Sequence, residues 1–147
     1  MIIGIDFGNT IVQTVKRHGE RKEFPNAIKV ITKMAEKHPI HIISKVDERQ
    51  MIEVKRWLRD NLFFERTGIP RDHLHFCAER RDKNEICLRL KVTHHIDDRP
   101  EVVAFLSNDI KGYLFRPVPK DVVKFFHSLR NACIVQSWKE IEDMFLL

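Results

Sequence analysis

Cysteine is scarce in this sequence: Cys77, Cys87 and Cys133 are the whole complement. The number is odd and the spacings are unpaired, which argues against a disulfide framework and for reduced thiols in a cytoplasmic setting. Long apolar runs are missing too. The stretch Ile40 to Ile43 is broken by His41, whereas a membrane-spanning helix needs about 20 apolar residues. The N-terminus lacks the basic segment, apolar stretch and small-residue cleavage site of a signal peptide. No repeat, low-complexity tract or Pro/Gly/Ser-rich linker divides the chain. These absences leave one expectation: a single soluble domain over residues 1–147, cytoplasmic and not associated with a membrane.

The composition supports a packed core, with 43% hydrophobic and 32% charged residues. Lys and Arg number 26 against 21 Asp and Glu, a formal charge of +5. That excess favours anionic partners without indicating nucleic acid by itself. Its distribution is more telling. Lys16, Arg17, Arg21 and Lys22 surround Gly19, and Arg80, Arg81 and Lys83 form a second cluster.

Short apolar runs alternate with longer stretches of helical period. Ile2 to Ile5 predicts a buried strand. Ala27, Val30, Ile31 and Met34 predict a helix from about Pro25 to Lys37, and Ile40, Ile42 and Ile43 a second strand. Met51, Val54, Leu58 and Leu62 mark another amphipathic helix, "HLHFC" a third strand, and Ile86 with Leu90 a short helix. "THHI" leads to a fourth strand ending at Asp97, and Val102, Val103 and Leu106 begin a helix. "GYLF" and "ACIV" follow as short strands. Val122, Phe126 and Leu129, then Ile141, Met144 and Phe145, suit two closing helices, and Trp57 and Trp138 read as packing residues. Strands alternating with helices imply an α/β fold, a three-layer Rossmann-like parallel sheet flanked by helices. Ligands of such sheets sit at the carboxyl ends of the strands. Asp6, Ser44 and the pair Asp97–Asp98 all follow candidate strands at that edge, and Lys83 precedes the helix leading to the fourth.

A carboxylate, a hydroxyl, an amine and a carboxylate pair make a phosphoryl-transfer kit. Paired acids suit Mg²⁺, which prefers oxygen ligands, and metal and lysine together offset phosphoryl charge. An aspartate can form a covalent phosphoenzyme. His73, His75, Cys77 and Cys87 do not follow a common zinc spacing; the alternation in "HLHFC" is that of a strand.

"IDFGNTIV", "HIISK", Lys83 and "HHIDDRPEVV", in that order, resemble the four motifs of the haloacid dehalogenase superfamily of phosphohydrolases. The resemblance implies a Mg²⁺-dependent phosphohydrolase or phosphotransferase with Asp6 as nucleophile. It implies Mg²⁺ held by Asp6, the Gly8 carbonyl and Asp97, with Asp98 as ligand or just behind. Ser44 and Lys83 would bind the phosphoryl group, Lys83 also steadying Asp6, and Thr10 would complete the substrate-binding group by holding the loop. Residues 11–24 match the family's hairpin flap, whose basic cluster would overhang the phosphate, and no cap domain is expected. Lys91 is a nearby competitor for the role of Lys83.

Gly8 departs from the pattern. In phosphatases of this superfamily a second aspartate, two residues after the nucleophile, protonates the leaving oxygen and then activates water. Glycine does neither, and acid–base help is worth roughly 10²–10⁴ in rate. Slow or leaving-group-selective turnover is therefore expected. Three alternatives stay open: a phosphate-binding or interaction protein without turnover, a nucleic-acid end-processing phosphatase, and the actin-like ATPase fold, whose first phosphate loop "GIDFGNT" also resembles. The expected partner is a phosphorylated substrate, and the expected cover for the open cleft is either a macromolecular substrate or a second copy of the chain in a homo-oligomer.

Overall fold

A computed structural model describes residues 1–15, 20–130 and 132–146. In chain order the elements are β1 (Ile3–Ile5), β2 (Val12–Val15), β3 (Glu20–Glu23), α1 (Ala27–Lys37), β4 (Ile40–Lys45), α2 (Glu48–Asp60) and α3 (Phe63–Thr67). A 3-10 turn at Arg71–His73 leads into β5 (Leu74–Cys77), then α4 (Asp82–Arg89), β6 (His94–Asp97), α5 (Pro100–Ala104) and β7 (Lys111–Phe115). The chain closes with α6 (Pro119–Lys124), α7 (Phe126–Leu129), β8 (Cys133–Val135) and α8 (Trp138–Phe145).

Six strands form one parallel sheet in the order β5-β4-β1-β6-β7-β8, and β2 and β3 pair antiparallel as a separate hairpin. The chain winds outward from β1 to β4 and β5, then returns past β1 to β6, β7 and β8. That reversal opens a crevice at the carboxyl end of β1. Register places Ile3 beside Ile40 and His94, and Ile5 beside Ile42 and Ile96. Asp6 N–H donates to the Ile96 carbonyl at 2.9 Å, so Asp6 leaves the sheet level with the end of β6.

Strand alternation sends Ile3, Ile5, Ile40, Ile42 and Ile96 into one core, with the buried face of α1 (Ala27, Val30, Ile31, Met34) and with Trp138. The other face of the sheet carries Ile43, packed with Ile86, Cys87 and Val92 around α4. Gly4 lies on that face because His95 needs the space: a Cβ at Gly4 would stand 2.6 Å from His95 Nδ1. A capping box of Asp47 and Gln50 starts α2 directly after the Ser44 loop, a device worth about 1 kcal/mol.

Three expectations of helical period fail. α2 stops at Asp60, and Leu62 takes a left-handed conformation and points outward, 56% exposed. The helix expected through Val122, Phe126 and Leu129 breaks at Phe125 into α6 and α7, leaving Phe126 exposed. In α8 the burial goes to Trp138, Ile141 and Phe145, and Met144 faces out. In each case an apolar residue on a plausible stripe has no neighbouring element to cover it. Among the described residues no helix is long and apolar enough to cross a membrane.

Candidate active site

Asp6 is the first residue past β1 and lies at the floor of a cleft of about 190 Å³. It is buried, and its two oxygens have different partners. Lys83 Nζ donates to Oδ1 at 2.9 Å, and Thr10 Oγ1 to Oδ2 at 3.4 Å. Thr10 is itself fully buried and does not line the cleft. Its carbonyl accepts from Trp138 Nε1 at 2.9 Å, which ties the loop after β1 to α8. Ser44, the fifth residue of β4, lines the cleft from the neighbouring strand.

Lys83 projects from the first turn of α4 into the site and is 2% exposed. Its ammonium bridges Asp6 Oδ1 and Asp97 Oδ2, the latter at 2.8 Å. Burial alone would disfavour its charge, but the two carboxylates hold its pKa above the ordinary lysine range. Lys91 lies beyond the other end of α4, exposed and with a positive φ of 59°. The geometry therefore brings Lys83, and not Lys91, to Asp6.

The two acids at the end of β6 differ sharply. Asp97 is wholly buried and saturated with donors: Lys83 and His95 Nε2 on Oδ2 (2.8 and 3.0 Å), and Arg99 N–H on Oδ1 (3.0 Å). Burial would raise its pKa, but Lys83 and His95 overcome this and hold it well below the usual carboxylate range. Asp98 lines the cleft beside Asp6, their carboxylate oxygens within 4.8 Å of each other. Burial, then the charges of Asp6 and Asp97, push Asp98 up to about 9. Asp6 is also raised, by burial and then by Asp97, while Lys83 opposes the rise. His95, fully buried, is raised to about 9: burial works against its charge, but the Cys87 sulfur at 3.9 Å and Asp97 prevail.

Among the described residues, Asp6, Asp97 and Asp98 form the one group of acids, histidines or cysteines able to hold a metal ion, each offering an oxygen within 4.8 Å of the others. An all-oxygen set of this kind suits Mg²⁺. His73, His75, Cys77 and Cys87 do not converge. His73 stacks on His41 with ring centroids 4.0 Å apart, His75 Nε2 meets His41 Nδ1 at 2.9 Å, and Cys87 contacts His95.

Gly8 lines the cleft, its φ is not positive, and a Cβ there would meet nothing within 4 Å. Glycine is thus not required by the backbone. The hairpin of β2 and β3 lies over the cleft as expected. Its pleat pairs Thr14 with Arg21 and turns both toward the cleft, while Lys22 is exposed. Lys16, Arg17, His18 and Gly19 lie outside the described residues. Sequence reading also missed Lys45, Gln50 and Arg99 as lining residues and His95 as the partner of Asp97. His95 could have been found, since it stands two residues before Asp97 and so shares its side of β6.

No family model matches the chain, and no curated protein matches it. Among solved structures, a haloacid dehalogenase-like hydrolase from Burkholderia xenovorans LB400 superposes with a TM-score of 0.62 at 12% identity, over 82% of this chain. The chain spans 57% of the length of that protein. The fold is therefore haloacid dehalogenase-like, and the two-domain ATPase fold considered for "GIDFGNT" gives way to it.

Proposed function

We propose that the chain is a Mg²⁺-dependent phosphohydrolase or phosphotransferase working through an aspartyl-phosphate on Asp6. The observation that carries this reading is Lys83 bridging Asp6 and Asp97 beside Ser44 and Asp98, at the carboxyl edge of a parallel sheet. Asp6 Oδ2 is the attacking oxygen in this reading: Lys83 holds Oδ1 at 2.9 Å, while Oδ2 carries only the longer 3.4 Å hydrogen bond from Thr10, which sets the rotation of the carboxylate. Attack on phosphorus forms the Asp6–phosphate bond and breaks the ester bond, releasing an alkoxide or phenoxide. Water, or an acceptor hydroxyl, then takes the phosphoryl group and regenerates the Asp6 carboxylate. Ser44 and Lys83 hold phosphoryl oxygens in place, and charge on them is best stabilised by donors fixed in advance.

Asp6, Asp98 and the Gly8 carbonyl are the groups that would hold Mg²⁺, which when bound supplies positive charge to the phosphoryl oxygens. Asp97 is better suited to a supporting role, since Lys83, His95 and Arg99 N–H already occupy it. The resemblance gives Asp97 to the metal first, and its carboxylate lies within 4.8 Å of those of Asp6 and Asp98. Gly8 favours a second reading, a phosphate-binding protein without turnover, because the residue that would protonate the leaving group is absent.

Phosphate release from p-nitrophenyl phosphate and acetyl phosphate separates the two. Wild type should turn over both, Asp6→Asn neither, and BeF₃⁻ with Mg²⁺ should give one ¹⁹F resonance set on wild type alone. Absence of turnover and of the BeF₃⁻ signal in a folded wild type would sink the enzymatic reading.

A further inference from the structure

The phosphoryl end of the cleft leaves several charged lining residues unused. Arg21 comes from β3, Lys45 from the end of β4, Arg80 from just before α4 and Arg99 from just before α5. Four elements thus deliver four cations to one small opening, in addition to Lys83. The charge of Lys83 is already matched by Asp6 and Asp97.

The four are unequally committed elsewhere. Arg21 is pinned from α2: Glu53 meets its guanidinium at 3.2 Å, and Trp57 Nε1 donates to its carbonyl at 3.3 Å. Glu53 also serves Arg49 at 3.3 Å, so its charge is divided. Arg80 reaches Glu101 only at 3.8 Å, and Arg99 reaches Asp98 only at 3.9 Å. Lys45 forms no ion pair among the described residues. Contacts this long, partly exposed to water, neutralise little. Among the described residues the opening also offers no exposed aromatic face. Phe7, the one aromatic lining residue, is 1% exposed and packs edge-on against Trp57. The described lining therefore offers a ligand charge rather than a stacking surface for a nucleobase.

We propose that the preferred substrate is a phosphate ester whose leaving group carries a further anionic group, a carboxylate or a second phosphate, held by Arg21, Lys45 and Arg80. The proposal rests on the phosphoryl-transfer reading of Asp6. Arg21 is the anchor, because its guanidinium is fixed before the ligand arrives and little freedom is lost on binding. Lys45, unpaired, follows the ligand.

The test uses phosphonates that cannot be hydrolysed, measured by calorimetry on the intact chain with Mg²⁺. Propylphosphonate, phosphonopropionate and ethylene diphosphonate differ only in the group at the far end: methyl, carboxylate or phosphonate. The second anion should tighten binding roughly 10- to 100-fold, the span of one to two charge-assisted hydrogen bonds. Salt should erode the gain, and Lys45→Met or Arg80→Met should shrink the ratio toward unity. A gain by both anions supports either source, and a gain by the diphosphonate alone assigns a second phosphate. Equal binding of all three, with p-nitrophenyl phosphate still hydrolysed by wild type and not by Asp6→Asn, overturns the proposal and leaves the enzymatic reading standing. Preference for the second anion with no phosphate ester turned over overturns that reading, and this proposal with it.

Discussion

At the residue scale, Gly8 and the Asp97–Asp98 pair decide how the site would work. Open space beside Gly8 and a negative-side φ mean that an aspartate can be installed without strain. Gly8→Asp places a carboxyl group where a leaving oxygen needs a proton. Alkyl phosphates, which leave badly unaided, should gain most, by at least about 10-fold within the 10²–10⁴ span of acid–base catalysis. Aryl phosphates should gain less. The measurement is kcat/KM for both classes in both proteins; alkyl phosphates already turned over as well as aryl ones by wild type would mean another residue supplies the proton. The acid pair gives a second contrast. Asp97→Ala strips a buried lysine and a buried histidine of their shared acceptor and should destabilise the fold by roughly 3–5 kcal/mol. Asp98→Asn keeps the size and polarity of the side chain and should leave stability within about 1 kcal/mol of wild type, while abolishing stabilisation by Mg²⁺. Urea unfolding with and without Mg²⁺ reads both; the reverse pattern would return the metal to Asp97.

Elements carry consequences away from the site. β4, β5 and the 3-10 turn between α3 and β5 bring His41, His73 and His75 together on one side of the sheet. His41 is 9% exposed, and burial, then His73 and His75, lower its pKa to about 4, with Asp72 opposing. Burial, then Arg89 and His73, also lower His75, again against Asp72. A histidine depressed in the folded state binds fewer protons there than when unfolded. Stability therefore rises with pH across the window and is lost as pH falls from 6.5 through about 4. The urea midpoint should drop over that range, and His41→Gln should flatten the drop. An unchanged slope in the variant would assign the acid sensitivity elsewhere.

On the scale of the whole molecule, the described residues place no further domain over the cleft. Among the described residues, the hairpin and α1 stand between β1 and β4, and α2, α3, the 3-10 turn and β5 between β4 and α4. The described part of the hairpin is joined to the body through Arg21 to Glu53 and Glu23 to Arg66. Water exclusion then falls to a large substrate or to a neighbouring copy of the chain. Sedimentation and activity on large and small phosphate esters should reveal an oligomer or a preference for the large ones. A monomer hydrolysing only small esters would refute this.

The pattern of apolar residues determined the alternation of strands and helices, and with it the parallel sheet, because a buried strand and an amphipathic helix each leave a local periodic trace. The same rule placed Asp6, Ser44, Asp97 and Asp98 at one sheet edge, since strand ends are local features. Leu62, Phe126 and Met144 escaped it because burial depends on whether another element arrives to cover a residue, which no local period encodes. The difference between Asp97 and Asp98 was equally invisible. The two are neighbours in sequence and their carboxylates converge within 4.8 Å, but one is enclosed by Lys83, His95 and Arg99 N–H while the other lines the cleft. Arg21, Lys45, Arg80 and Arg99 lie up to 78 positions apart (99 − 21), and only the convergence of four elements on the end of β1 makes them one surface. Long-range electrostatics is decided by distance in space, and that distance belongs to the tertiary structure.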